Sequence, residues 1–125
     1  MLIDSDVLIW MMRGHIGAAA RLQAILPWRI SVVTYIELAQ GCRNKLELTQ
    51  AKKGLSLRQT EILPINETIS NRAISLIDQY ALSHGLLLAD ALIAATAQEH
   101  GLALLTANVK HFSAIENLAV EAFVP

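Results

Sequence analysis

Cys42 is the only cysteine in the sequence, so no disulfide can form within the chain. That suits a reducing compartment, and the cytoplasm is the expected location. Nothing around Cys42 marks its thiol as a nucleophile. Paired zinc-ligand spacing is missing as well: His15, His84, His100 and His111 are scattered and read as surface or core residues. No uninterrupted apolar run approaches the ~20 residues of a membrane-spanning helix, and the most apolar stretch, Leu86 to Ala97, carries Asp90 in its interior. No membrane association is expected. No secretory leader is expected either, since Met1 opens directly into strand-like sequence and Arg13 interrupts the apolar start. Asn-Gly and Asp-Gly, the strongest hairpin signals, do not occur, and there are no repeats, linkers or low-complexity segments.

What is present is a chain of 125 residues, the size of one domain with a real core. Its apolar fraction of 54% and mean hydropathy of +0.42 are high. A sheet buried on both faces, together with a subunit interface, accounts for them. The net charge of −1 hides an asymmetry. Residues 13–58 carry Arg13, Arg21, Arg29, Arg43, Lys45, Lys52, Lys53 and Arg58 against Glu37 and Glu47, whereas residues 59–125 carry seven acids against Arg72 and Lys110. Such a basic segment is either a solvated helix face or a contact for nucleic-acid phosphates or an acidic partner.

Strands and helices alternate along the chain. Met1 to Ile3 reads as a buried strand ending on Asp4-Ser5-Asp6, and Val7 to Met12 as the helix that follows. A second helix, Ala18 to Leu26, is stopped by Pro27. Arg29 to Val33 is β-branched and strand-like, Thr34 to Ala39 switches to helical spacing, and Asn44 to Leu57 is a basic helix weakened by Gly54. Thr60 to Ile65 is a weaker strand, because Pro64 cannot donate to a ladder. Asn66 caps a long amphipathic helix with Ile69, Ala73, Leu76, Ile77 and Tyr80 inward, and Gly85 closes it. Ala89 to His100 is apolar almost all round and belongs inside. Leu102 to Leu105 is a strand, Thr106 to Phe112 a turn with one helical turn, and Ala119 to Val124 the last strand. This pattern implies parallel crossovers. The expected fold is α/β, a single domain built as a three-layer α/β/α sandwich around a mostly parallel sheet of about five strands.

The acids fall at telling places. Asp4 and Asp6 follow the first strand, Thr34-Tyr-Ile-Glu37 the second and Thr106-Ala-Asn108 the fourth, while Asp90 opens the buried helix. Three of these four places lie past the carboxyl ends of parallel strands, where ligands bind in α/β sheets. Each has a structural reading too. Asp4 or Ser5 can cap a helix, Thr34-x-x-Glu37 fits a capping box, Asp90 suits a helix dipole, and Asn108 is a good N-cap. Asp90 is the hardest to explain this way, because no Lys or Arg lies within ten residues of it and a buried carboxylate needs a cation or several donors. If Asp4, Glu37 and Asp90 share one edge, they repel unless a metal joins them. An all-oxygen ligand set selects a hard cation, Mg²⁺ or Mn²⁺, and such an ion usually serves phosphate chemistry.

Asp4-Ser-Asp6-Val-Leu-Ile, Thr34-x-x-Glu37-Leu, Ala89-Asp90-Ala-Leu-Ile-Ala and Leu105-Thr-x-Asn108-x-x-x-Phe112 resemble the successive motifs of the PIN-domain ribonucleases. The short length is similar to the VapC-type toxins of toxin–antitoxin modules. The resemblance implies a PIN-like sandwich, a divalent metal, hydrolysis of RNA to 5′-phosphate and 3′-hydroxyl ends, a homodimer and a cognate antitoxin. By motif match, Asp4, Glu37 and Asp90 are the metal-binding catalytic acids, with Asp6 and Thr106 in support. Asn108 stands where many members carry a fourth acid, and its amide oxygen offers a donor without charge. One firm metal site is therefore expected, with a second filled by substrate.

Two other readings differ in what they require. A haloacid-dehalogenase-type phosphatase also opens on Asp-x-Asp after a strand, but it needs a later lysine and an acid after a strand, whereas Asp90 sits in a helix. A degenerate PIN-like module would bind RNA or protein without cutting, with Asn108 as its support.

Overall fold

A computed structural model describes all residues, Met1 to Pro125. The elements run β1 (Leu2–Ile3), α1 (Ser5–Met12), α2 (Ile16–Gln23), β2 (Arg29–Ser31), α3 (Val32–Gly41), α4 (Lys45–Leu57), β3 (Glu61–Leu63), α5 (Glu67–His84), α6 (Leu88–Glu99), β4 (Leu104–Thr106), α7 (Val109–Phe112) and β5 (Val120–Ala122). The five strands form one sheet in the order β3-β2-β1-β4-β5. Every pairing is parallel, with Leu2 opposite both Arg29 and Leu104.

Alternation along the strands divides the core in two. Leu2 and Leu104 join Leu63, Ile69, Leu76 and Phe112 on the face covered by α5 and α6. Ile3 and Leu105 join Val7, Leu22, Trp28 and Leu38 on the face covered by α1, α2 and α3. Helices on both faces of a parallel sheet make the expected three-layer sandwich. The long helix α5 behaves as its spacing requires: Ile69, Ala73, Leu76 and Tyr80 are buried, Asn66 accepts the Ile69 amide at 2.8 Å, and Gly85 takes the left-handed φ of +68° that closes it. No helix is long and apolar enough to cross a membrane.

The boundaries moved at several elements. The second helix begins at Ile16, because His15 Nδ1 accepts the Ala18 amide at 3.0 Å and starts it two residues early. The second strand ends at Ser31 rather than Val33, because the Ser31 hydroxyl accepts the Val33 amide at 3.1 Å and turns the chain into α3. Two β-branched valines thus enter a helix, a cap overriding propensity. The third strand shrinks to Glu61–Leu63, and the fourth extends to Thr106.

β1 lies in the middle of the sheet. The chain grows from it to β2 and β3 on one side, then crosses to β4 and β5 on the other. The crevice outside the carboxyl ends of β1 and β4 is therefore the topological switch point, the default ligand position in an open α/β sheet.

Candidate active site

Asp4 follows β1 directly and caps α1, its Oδ1 accepting the Ser5 amide at 2.8 Å. Its own amide donates to Leu105 of β4 at 2.9 Å, which fixes the residue in the switch-point crevice. Thr106, the last residue of β4, is fully buried. Its hydroxyl lies 2.8 Å from Asp4 Oδ2 and 3.4 Å from Asp6 Oδ2, and it accepts the Asn108 amide at 3.0 Å. Asp6 Oδ2 also accepts the Ala107 amide at 3.0 Å. Asp4, Asp6 and Thr106 are thus one hydrogen-bonded unit across the gap between two strands.

Glu37 reaches this unit through Ser5, whose hydroxyl donates to Glu37 Oε1 at 3.1 Å. The capping-box reading of Thr34 and Glu37 fails: Ser31 caps α3, and both residues lie inside the helix. Thr34 is fully buried and its hydroxyl has no partner. Asn108 likewise precedes α7 without a side-chain cap, so its amide group is free of that duty.

Asp90 stands apart. It occupies the first turn of α6, where Oδ2 accepts the Leu87 amide at 3.3 Å. His111 on α7 approaches the same oxygen, Nδ1 lying 3.3 Å away. The lone acid thus has a helix N-terminus and an imidazole beside it, and its side chain is only 16% exposed. No three Asp, Glu, His or Cys side chains converge tightly enough to hold one ion as they are placed. Asp4 and Glu37 are joined; Asp90 is not joined to them. Sequence reasoning passed over Ser5 as a tether and His111 as a partner of Asp90.

The electrostatics are strained. Burial, then the charge of Asp6, pushes the Asp4 carboxyl up to about 7, against the bonds from Thr106 and Ser5, while Glu37 adds to the rise. Burial also raises Asp6, against the bonds from Ala107 and Thr106 and the nearby backbone amides of Val7 and Asn108. Asp6 Oδ1 is buried with no hydrogen-bond partner at all. In Asp6, Glu37 and Asp90, protein donors hold one oxygen and leave the other without one. Donor contacts of this kind orient metal-binding carboxylates.

From Glu37 a cleft of about 850 Å³ runs between α1, α3 and α4, its apolar floor including Leu8, Leu38 and Leu55 and its rim Arg13, Arg43 and Arg58. Of the basic segment, Arg21, Arg29 and Arg43 pair with Glu121, Glu61 and Glu47. Lys45, Lys52 and Lys53 project from α4 into solvent.

The PIN domain family is matched over residues 1–118. Ribonuclease VapC10 of Mycobacterium tuberculosis (strain ATCC 25618 / H37Rv) is 38% identical over 129 residues, spanning 100% of this chain and 95% of that protein. Among solved structures, a toxin-antitoxin complex from Klebsiella pneumoniae is similar with a TM-score of 0.80 and 32% identity, covering 94% of each chain. VapBC-1 from nontypeable Haemophilus influenzae gives 0.77 and 28%, covering 97% of this chain and 96% of that one.

Proposed function

The chain belongs to the PIN-domain family, and from that premise we propose that it is a metal-dependent endoribonuclease and the toxin of a toxin–antitoxin pair. The observation that carries the chemistry is the buried acid unit at the switch point, with Asp4 pushed up to about 7 and one Asp6 oxygen unpartnered. Buried, mutually repelling carboxylates call for a cation. The donor set here is all oxygen, which fits Mg²⁺ or Mn²⁺. Asp4 and Glu37 would hold the ion, with Asp90 drawn toward it from where it now stands, and Asn108 would add an uncharged amide oxygen. When bound, such an ion polarises phosphoryl oxygens and lowers the pKa of a bound water.

The remaining work falls to the chain's own residues. Thr106 donates to Asp4 and Asp6 and sets the orientation of both carboxylates. Ser5 ties Glu37 to the same unit. The Leu87 amide holds one oxygen of Asp90, with His111 Nδ1 beside it at 3.3 Å, and leaves the other for the ion. The Asn108 amide donates to the Thr106 hydroxyl and so directs the Thr106 proton toward the carboxylates.

An antitoxin partner is supported by the solved relatives, which are toxin–antitoxin assemblies. The cleft beside Glu37, apolar below and basic at the rim, suits an apolar or acidic segment of such a partner. Ile74, Leu82, Leu87 and Leu88 are exposed and supply apolar area for a homodimer. Action in the cytoplasm completes the reading, since RNA and antitoxin are met there.

The test is cleavage of RNA by the purified protein with Mg²⁺ or Mn²⁺. EDTA should abolish it, and Asp4→Asn and Asp90→Asn should each lose it while remaining folded. Cleavage that persists in EDTA, or in both variants, refutes the metal-dependent mechanism. Folded, metal-binding protein that never cuts RNA would favour the non-cutting module, for which Asn108 in place of an acid is the specific observation.

A further inference from the structure

A row of three rings leads from the acid unit to the surface. The Phe123 amide donates to the Thr106 carbonyl at 2.8 Å, so Phe123 lies beside the residue that holds Asp4 and Asp6. The His15 ring packs edge-on to Phe123 at 5.5 Å and 81°, and Trp10 packs against His15 at 5.3 Å and 69°. Phe123 is buried, whereas Trp10 is 36% exposed. Trp10 is also four residues from Asp6 on α1, hence on the same helix face and about 6 Å further along the axis. That is close to the length of one nucleotide.

The row is built, not incidental. His15 is pinned as the cap of α2 through the Ala18 amide. Gly17 leaves room for its ring, since a Cβ there would lie 2.9 Å from His15 Cε1. A ring held on both edges by neighbours fixes the indole plane of Trp10 while keeping it in contact with solvent. Sequence-tolerant binding of single-stranded nucleic acid uses fixed aromatic planes of this kind, because every base has a π-face. Unpaired RNA is recognised by stacking splayed bases on aromatic side chains.

We propose that Trp10, set by His15 and Phe123, is a stacking subsite for an unpaired base of single-stranded RNA next to the phosphate held at the acid unit. The inference rests on the ribonuclease reading above and adds to it a residue that would hold a base. It also explains why a tryptophan is kept half-exposed when the other one, Trp28, is 2% exposed and bonded through Nε1 to the Leu22 carbonyl at 3.0 Å.

This difference makes the test direct, since Trp10 is the emitter that solvent and a base can reach. A short oligouridylate is titrated into the full chain with Ca²⁺, a hard cation that can occupy the acid unit, following tryptophan emission together with the anisotropy of the labelled oligonucleotide. Emission should be quenched along the binding curve, and inorganic polyphosphate should not quench it. Trp10→Phe should keep most of the affinity. Trp10→Leu, which retains apolar cover over the α1–α2 corner, should lose the quenching and about 5- to 150-fold in affinity. Binding without quenching in the wild-type protein, or Trp10→Leu binding like wild type, overturns the stacking subsite. Metal-dependent RNA cleavage alongside either result leaves the ribonuclease reading intact. No oligonucleotide binding and no cleavage of any RNA would overturn both.

Discussion

Replacing Asp4 by Asn should make the metal-free protein more stable, and the gain should grow with pH. In the folded chain the Asp4 carboxyl rises from 3.8 to about 7, through burial first and the charge of Asp6 second. That difference corresponds to about 4 kcal/mol of disadvantage for the charged form. The folded state therefore binds this proton more tightly than the unfolded chain. The contribution is fully present below the unfolded value of 3.8 and is lost as pH rises through about 7. Asp6, also raised by burial, has the same sign. The amino group of Met1 is lowered by burial and by Arg29 and has the opposite sign, but it is mostly exposed and adds little. Asn fits the site: its oxygen can accept the Ser5 amide, its NH₂ can donate to Thr106 Oγ1, and the Thr106 hydroxyl can turn to Asp6. Burial of the amide offsets part of the gain, leaving about 1–3 kcal/mol near pH 8, or roughly 3–15 °C in Tm. The assay is thermal and urea denaturation in EDTA from about pH 5 to about pH 8. Subtracting variant from wild type cancels the other titrating groups. Saturating Mg²⁺ should reverse the order, because the ion stabilises only a chain that binds it. A difference that is flat with pH, or a variant less stable than wild type at pH 8, refutes the reasoning.

Thr106→Val removes the donor to Asp4 and Asp6 and orphans the Asn108 amide; it should cost about 1–3 kcal/mol by denaturation and move the pH midpoint of Tm upward. Glu37→Gln keeps an oxygen for Ser5 and should stay within about 1 kcal/mol of wild-type stability, yet weaken the stabilisation by Mg²⁺ seen in the same melts. Unchanged Mg²⁺ stabilisation in that variant would remove Glu37 from the ion's ligands.

The layers of the fold were legible because long segments carried consistent periodicity. Leu86 to Ala97 has too little polar surface to lie outside, and α6 buries Ala91 and Ile93 to Ala97. Boundaries were less legible, since they depend on single side-chain bonds. Val32 and Val33 look like strand, but the Ser31 hydroxyl commits them to α3. The same bond undid the capping box, because it moved the cap three residues ahead of Thr34. At the site, spacing marked the carboxyl edge of the sheet, and Asp4, Asp6 and Thr106 do meet there. Ser5 to Glu37 and His111 to Asp90 were beyond reach, because contacts over 32 and 21 positions depend on how helices lie over the edge and leave no local pattern.

The distribution of ion pairs says most about what the acid unit is for. Arg21, Arg29, Arg43 and Arg72 pair with Glu121, Glu61, Glu47 and Glu99, all on exposed or partly exposed surface where such pairs contribute little. No Lys or Arg pairs with Asp4, Asp6, Glu37 or Asp90, the acids for which a counter-charge would matter. A chain arranged for stability alone would reverse that allocation, or replace Asp4 with a neutral residue. Here neutral donors fix the directions of the carboxylates without cancelling their charge: Ser5, Thr106, and the amides of Leu87 and Ala107. Orientation without neutralisation raises the free energy of the empty site and leaves that strain to be relieved by a cation from solution. On this reading, the stability that Asp4 withholds above neutral pH strengthens ion binding.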